Sequence, residues 1–254
     1  MAAPYILSEN TWKTVRDQKI DIAVLPWGAT EAHNLHLPYG TDTLESEFIA
    51  RMAARKAYEQ GTRLCILPAI PFGINTSQLD IHMTISMNPS TMMKILEDVL
   101  DSLSMHGIRK FVVFNSHGGN EFKGLIRELQ PRYPDIFMAV LNWYESIPLS
   151  EFFEAGGDHA NEMETSIMMH IAPDLVLPLS EAGPGKARKS VITARREGWV
   201  WFPRAWTQVT DDTGIGDPSK ATAEKGEQYL EAVTGKIAAF FGELAAARSD
   251  QMYE

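Results

Sequence analysis

The segment EAHNLHLPYGTD, from Glu31 to Asp42, places carboxylates and imidazoles close together directly after an apolar run, IAVLPWGA. Glu31 and His33 are two positions apart, so an extended backbone points both side chains to the same side. Asp42 ends the segment, and its two carboxylate oxygens could bridge two metal ions. Because a buried charge without a partner is costly, such a group predicts a bound cation. We therefore expect a divalent metal ion here.

Two later segments repeat this chemistry. The segment NSHGGN contributes the imidazole of His117, and DHANEMET contributes the carboxylate of Glu164 from a helix. His159 precedes Glu164 by five positions, so the two need not share a helical face. With an ordinary pKa near neutrality, His159 is better suited to carry protons. The sequence thus predicts one catalytic residue, His159, and five metal ligands: Glu31, His33, Asp42, His117 and Glu164.

The predicted ligands are carboxylates and imidazoles without thiolates, a set that suits Zn²⁺, Mn²⁺ or a related divalent ion. The single cysteine, Cys65, excludes a thiolate-based structural zinc site. His36 has two interpretations, a ligand or a residue that orients a ligand. For the whole segment the alternative is a polar loop closed by ordinary ion pairs. A phosphate cradle at NSHGGN would lack the lysine of a P-loop.

A long segment from residue 68 to 89 carries proline, glycine, asparagine and serine with little periodicity. Loops of that length in compact domains are usually functional or mobile. We expect Gln78 and His82 in this loop, together with Trp143 at a strand end, to line the substrate pocket.

The elements that must position these residues alternate along the chain. Short apolar runs predict strands at 22–26, 64–67, 111–114 and 136–141. Helical spacing predicts helices at 44–58, 90–106, 121–129, from Asp158 or His159 to 169, and 221–246. This alternation implies crossover connections and a mostly parallel sheet covered on both faces, an α/β fold of three αβα layers. Ligands of such sheets gather beyond the carboxyl ends of the strands.

Composition narrows the class of partner. The 254 residues predict one domain over residues 1–254, and a net charge of −10 without a basic stripe argues against nucleic acid. The apolar runs fall short of the roughly 20 residues of a spanning helix, and the start lacks the pattern of a secretory signal. Cys65 in LCILP fits a reducing compartment. We expect a cytoplasmic protein with a small-molecule partner and no membrane contact.

Three segments in this order and spacing, PWGATEAHNLHLPYGTD, NSHGGN and DHANEMETS, resemble the creatininase family of metal-dependent amidohydrolases. The resemblance implies a centre of two metal ions in which Asp42 is the bridging ligand. It also implies a proton-transfer role for His159. The other residues that it places at the metals are Glu31, His33, His117 and Glu164. The resemblance further implies a homo-oligomer, a hexamer, for which the Trp-rich segment 199–206 is a candidate contact surface.

The chain departs from the family pattern in two places. In creatininase a glutamate two positions after the second-motif histidine is a metal ligand, and here that position is Gly119. Either Glu164 supplies the missing carboxylate, or one of the two metal ions is bound weakly. Many relatives have a histidine and a glycine in the loop before the TIS triplet, where this chain has Gln78 and Met83. This difference weakens the case for creatinine itself as the substrate.

The leading hypothesis is a dinuclear metal hydrolase that uses a metal-bridging hydroxide on a cyclic amide or another small amide-like C–N bond. A second hypothesis keeps the metals but opens a sugar-derived cyclic ketone of the dehydro-inosose type at a C–C bond. A third is a non-catalytic, metal-dependent small-molecule binding protein.

Overall fold

The computed structural model describes residues 3–248 and 251–253, and a four-stranded parallel sheet lies at its centre. The strands are β1 (Ile22–Trp27), β2 (Leu64–Ile66), β3 (Lys110–Asn115) and β4 (Phe137–Asn142), in the spatial order β2-β1-β3-β4. All three pairings are parallel. The predicted α/β class with a parallel sheet is therefore confirmed.

The sheet is covered on both faces, which explains why its strands read as continuous apolar runs. Every residue of β1 is buried. Ile22 and Val24 belong to the core on one side of the sheet, whereas Ala23 and Leu25 belong to the core on the other. Successive strand residues point to opposite faces, so both sets must be apolar.

Helices supply the outer layers. In chain order they are α1 (Trp12–Val15), α2 (Thr41–Glu59), α3 (Pro89–Met105), α4 (Phe122–Leu129), α5 (Glu162–Ile171), α6 (Thr193–Arg196), α7 (Trp206–Val209) and α8 (Ala223–Ala246). Buried residues of α2, α5 and α8 share one core, and those of α3 and α4 share the other. The result is the predicted three-layer αβα arrangement.

The packing of α8 on α5 depends on a glycine. A Cβ atom added at Gly226 would lie 2.1 Å from the carbonyl oxygen of Ser166, so any larger residue would push the two helices apart. Farther along α8, Tyr229 and Val233 are fully buried in the same core. This close contact fixes the position of α5.

The two helices that carry predicted ligands begin about three residues away from their predicted starts. The helix α2 begins at Thr41, so Asp42 lies on its first turn and not in a preceding loop. The helix α5 begins at Glu162, after Asn161, whose side chain accepts the backbone N–H groups of Met163 and Glu164. The carboxylates of Asp42 and Glu164 therefore lie at helix N-termini, where the helix dipole favours negative charge.

The segments that follow β1, β3 and β4 all lie beyond the carboxyl edge of the sheet and carry Glu31, His117 and Trp143.

A single domain over residues 1–254 stays a prediction. Within residues 3–248 and 251–253, none of the helices combines the length and the hydropathy required to cross a membrane.

Candidate metal centre

The first motif brings a carboxylate pair and an imidazole into one buried cluster. Glu31, His33 and Asp42 are each exposed by 2% or less. His33 Nε2 lies 3.2 Å from Asp42 Oδ1 and 4.0 Å from Glu31 Oε1. Asp42 lies on the first turn of α2. The loop between β1 and α2 brings it next to the residues that follow β1.

Asp42 lies between two imidazoles. Its Oδ1 faces His33, and its Oδ2 lies 3.1 Å from Nδ1 of His117, which follows β3. The Oδ2 atom has no hydrogen-bond partner among the described residues. One carboxylate with each oxygen directed at a different imidazole is the arrangement expected of a ligand that bridges two ions.

Three histidines of the cluster are oriented in the same way. In each, one ring nitrogen faces a backbone carbonyl: His33 Nδ1 at 3.2 Å from Glu31 O, His117 Nε2 at 3.1 Å from Ile74 O, and His159 Nε2 at 2.8 Å from Ala32 O. A carbonyl oxygen only accepts, so that nitrogen carries the proton. The other nitrogen faces the carboxylates, and once it has lost any proton its lone pair is available to a metal ion, which is how metal-ligating histidines are usually held.

The cluster divides into three sets of candidate ligand atoms that lie within 4.8 Å of one another: Glu31, Asp42 and His117; His33, Asp42 and Glu164; and Glu31, His33 and His159. Asp42 belongs to the first two sets. His159 Nδ1 lies 3.7 Å from Glu31 Oε1, and its ring packs on His33 with 4.2 Å between ring centroids. The structure thus brings together all five predicted ligands and the predicted proton carrier.

Gly119 leaves no space for a side chain beside His117, whereas Glu164 brings a carboxylate to the cluster. A Cβ atom at Gly119 would lie 2.4 Å from His117 Nε2 and 2.5 Å from Ile74 O, so this loop has no room for a glutamate. Glu164 reaches the cluster from α5, and its Oε2 accepts a hydrogen bond from the Ala160 backbone N–H. In this cluster the carboxylate thus lies on α5, and the loop after β3 holds none at position 119.

The charges of the cluster show that it is suited to a cation. Burial alone would lower the pKa of His33, but the Asp42 carboxylate raises it to about 10. Burial opposes ionisation of Asp42 as well, yet the imidazoles of His33 and His117 hold its pKa below the ordinary value. Protons on the imidazoles thus offset the carboxylate charge. A divalent ion would do the same and release those protons, so the donor set fits a metal.

Two other members of the cluster have pKa values shifted in the opposite directions. Burial raises the pKa of Glu164 to about 7. Burial, reinforced by His33, lowers the pKa of His159 to about 4, so this imidazole is neutral at neutral pH.

Glu45 is not among the predicted site residues. It lies one turn beyond Asp42 on α2. It is fully buried, and neither of its carboxylate oxygens has a hydrogen-bond partner among the described residues. Burial raises its pKa well above the ordinary value, and the nearby charges of Glu164 and Asp42 add to this. An acidic residue at a core position of α2 is the only signal that the sequence offers for it.

A cavity of about 530 Å³ opens above the cluster. Gln78 and Trp143 line it, whereas His82 is exposed and does not. Gln78 is buried, and its Nε2 donates to Oε2 of Glu31. Trp143 Nε1 donates to Ser116 Oγ at 2.7 Å. Gln78 thus orients a candidate ligand, and Trp143 forms a fixed wall.

His36 lies outside the three sets of ligand atoms. Its Nε2 lies 2.9 Å from Thr165 Oγ1 on α5, and burial lowers its pKa to about 4. This contact ties the first-motif loop to the helix that carries Glu164, as expected of a residue that orients ligands.

Much of the Trp-rich segment 199–206 forms one wall of the cavity. The Trp206 ring packs edge-on against His159, with 4.8 Å between ring centroids. Arg204 lies over the Trp206 ring and pairs with Asp158. A role for this segment in subunit contacts stays a prediction, and its place beside His159 has no signal in the sequence.

Several known proteins are similar to this chain over most of its length. The creatininase family model, described as creatinine amidohydrolase, matches residues 8–241. A mycofactocin precursor peptide peptidase of Mycobacterium ulcerans (strain Agy99) is 28% identical over 229 residues, covering 87% of this chain and 81% of that protein. A crystal structure of a candidate creatinine amidohydrolase from Bacteroides fragilis NCTC 9343 is 43% identical, covers 100% of both chains and has a TM-score of 0.93.

Solved creatininases share the fold at lower identity. One described with Mn is 22% identical with a TM-score of 0.80, and one of the Zn-Zn type is 23% identical with a TM-score of 0.77. Both comparisons cover 96% of this chain and 99% of the creatininase chain. Mn and Zn are the metals of those creatininases.

Proposed function

The chain belongs to the creatininase family of hydrolases, and on that premise we propose that it cleaves an amide-like C–N bond with two divalent ions, Zn²⁺ or Mn²⁺. The substrate would be a cyclic amide or another small amide, short peptides included, since a similar protein is a peptide peptidase. The observation that carries the proposal is the position of Asp42, with one oxygen toward His33 and the other toward His117.

The ligands divide between the two ions as the candidate sets suggest. Glu31 and His117 would hold one ion, His33 and Glu164 would hold the other, and Asp42 would bridge them. When bound, the ions would supply a hydroxide nucleophile near neutral pH and polarise the carbonyl of the substrate.

His159 would move the proton to the leaving nitrogen. Its Nε2 donates to the Ala32 carbonyl oxygen at 2.8 Å, so Nδ1 is the atom that takes and returns a proton. Burial lowers the pKa of His159 to about 4, and a proton taken up there would be given up readily. Contacts with the rings of His33 and Trp206 hold the imidazole in place.

The test combines metal analysis with turnover. Protein purified without chelator is expected to contain two divalent ions per chain by elemental mass spectrometry. Asp42→Asn is expected to lose both metal and activity, by about 100-fold or more in turnover, because both ions lose a shared ligand. His159→Gln should keep the metal and lose turnover.

A control and a substrate panel complete the experiment. Glu47→Gln removes an exposed carboxylate from α2, the helix that also carries Asp42, and should change neither metal content nor activity. The panel contains creatinine, short peptides and a cyclic polyol ketone. Cleavage of the ketone alone would replace the amide proposal with the C–C hydrolase. An Asp42→Asn protein that keeps two ions and full turnover would refute the bridging role.

A further inference from the structure

One cationic side chain in the cavity wall has no acidic partner among the described residues. Arg195, on the short helix α6, lines the cavity together with the metal cluster. Its guanidinium lies over the ring of Phe202, with 5.4 Å from Cζ to the ring centroid. Within residues 3–248 and 251–253, no hydrogen bond or ion pair involves this guanidinium. The residue is half-buried, so part of its hydration has already been lost.

The other arginine in the wall shows the contrast. Arg204 also lies over an aromatic ring, that of Trp206, but its guanidinium is engaged by the carboxylate of Asp158. Glu121, a further charged residue of the wall, is an anion and exposed. Of the described residues that line the cavity, Arg195 is thus the cation left available to an anionic ligand. Its stacking on Phe202 leaves the five N–H donors of the guanidinium unused.

Apolar residues close to Arg195 in the chain line the same cavity. Trp201 and Pro203 are among them, and Trp201 is 75% exposed, whereas the candidate ligands are almost fully buried. The cavity has the volume of roughly 15 to 20 liquid water molecules, so a single small ring would leave most of it to solvent.

We propose that Arg195 is a specificity residue that binds a carboxylate of the substrate, next to an apolar group packed on Trp201 and Phe202. The substrate class would then be an amide of an amino acid that has a free carboxylate and an apolar side chain, such as an N-acyl amino acid or the end of a peptide. This inference rests on the proposed amide hydrolysis only for its kinetic test, because the binding of a carboxylate can be measured separately.

The binding experiment uses two probes without an amide bond, 3-phenylpropanoate and neutral 3-phenylpropanol, titrated calorimetrically into the metal-loaded protein. The native protein is expected to prefer the carboxylate by about 10- to 100-fold, the range of a charge-assisted hydrogen-bonded pair. Arg195→Gln should remove this preference, and Arg195→Lys should restore part of it, since lysine keeps the charge but not the planar fork.

Arg196→Gln is the matched control. It removes the same charge from the adjacent residue, whose guanidinium is exposed and bonds to Ser190 and Thr193 and which does not line the cavity. This variant should keep the preference. Metal content and circular dichroism must match the native protein in all variants.

The kinetic arm compares N-acetyl-L-phenylalanine with N-acetyl-L-phenylalaninamide by acetate release. Arg195→Gln should raise KM for the acid with little change in kcat, and leave the neutral compound unaffected. If neither is cleaved but the binding preference follows Arg195, only the proposed reaction fails. A carboxylate preference that persists in Arg195→Gln would place the anion on the metals and overturn the inference, as would the absence of any preference in the native protein.

Discussion

Backbone carbonyls decide which nitrogen each histidine residue of the cluster presents. The carbonyls of Glu31, Ile74 and Ala32 fix the rings of His33, His117 and His159 before any ion binds. A preorganised set of lone pairs lowers the cost of ordering ligands around a cation. The tight loop around Gly119 contributes to this, because it lets the Ile74 carbonyl approach the His117 ring.

Glu45 is expected to weaken the metal-free protein at neutral pH. Burial, with the charges of Glu164 and Asp42, raises its pKa, so the folded chain holds a proton that the unfolded chain releases above about pH 4.5. For an acid with a raised folded pKa, stability is greatest below the unfolded pKa and falls as the pH rises. Glu45→Gln should therefore raise the free energy of unfolding at pH 8 by about 1 to 2 kcal/mol.

The measurement for Glu45 is urea denaturation of chelator-treated protein at pH 5 and at pH 8. The gain from Glu45→Gln should be smaller at pH 5, where the unfolded chain also holds more of the proton. Glu47→Gln, at an exposed position on the same helix, should show no such pH dependence. An equal effect of Glu45→Gln at both pH values would contradict a neutral buried carboxyl.

Among the helices, the cap of α5 links helix stability to the position of Glu164. The Asn161 side chain accepts the N–H groups of Met163 and Glu164. Asn161→Ala should lower the free energy of unfolding by about 0.5 to 2 kcal/mol. It should also weaken metal binding by about 10-fold or more, because Glu164 loses its fixed backbone.

Thr222 provides the control for the cap. It caps α8 by accepting the Lys225 N–H, and it belongs to none of the three ligand sets. Thr222→Ala should cost similar stability and leave the metal affinity unchanged, as measured by competition with a chromophoric chelator. Equal losses of metal affinity in the Asn161 and Thr222 variants would show that the effect is one of global stability.

The contact between α5 and α8 can be tested through two glycines of α8. Gly226→Ala should destabilise the fold by about 1 to 3 kcal/mol, because the added methyl group meets the Ser166 carbonyl. Gly235 is exposed, and an added Cβ atom there would meet nothing within 4 Å. Gly235→Ala should therefore stabilise the protein by up to about 1 kcal/mol. Thermal unfolding of both variants measures the difference, and similar midpoints would contradict the close helix contact.

The strands and helices differ in how far the sequence predicts them. Buried strands are evident as apolar runs, and the strand predicted at 22–26 differs from β1 by one residue. The start of α2 escapes prediction because Thr41 and Asp42 are polar and precede the apolar periodicity. The predicted start of α5 is too early because Ala160, with φ of +47°, interrupts the helical backbone before the Asn161 cap.

Across the molecule as a whole, the cavity joins segments that are far apart in the chain. The candidate ligands could be chosen from the sequence because carboxylates and imidazoles follow strands whose carboxyl ends must meet at one edge. Nothing local in the sequence places Trp206 against His159 or Arg195 in the cavity wall, since these contacts depend on how residues 180–218 fold back over the sheet edge.

The cluster of buried carboxylates and imidazoles should make the stability of the entire fold depend on metal. Ions that bind only the folded chain stabilise it by mass action, by about 2.7 kcal/mol when free metal is about 100 times the Kd. Removal of the ions by a chelator should therefore lower the thermal midpoint, and added Zn²⁺ or Mn²⁺ should restore it. Asp42→Asn should show little of this dependence, whereas Glu47→Gln should behave like the native protein. If the chelator removes the ions without moving the midpoint of the native protein, the ions do not bind at the cluster that holds α2 and α5 against the sheet edge.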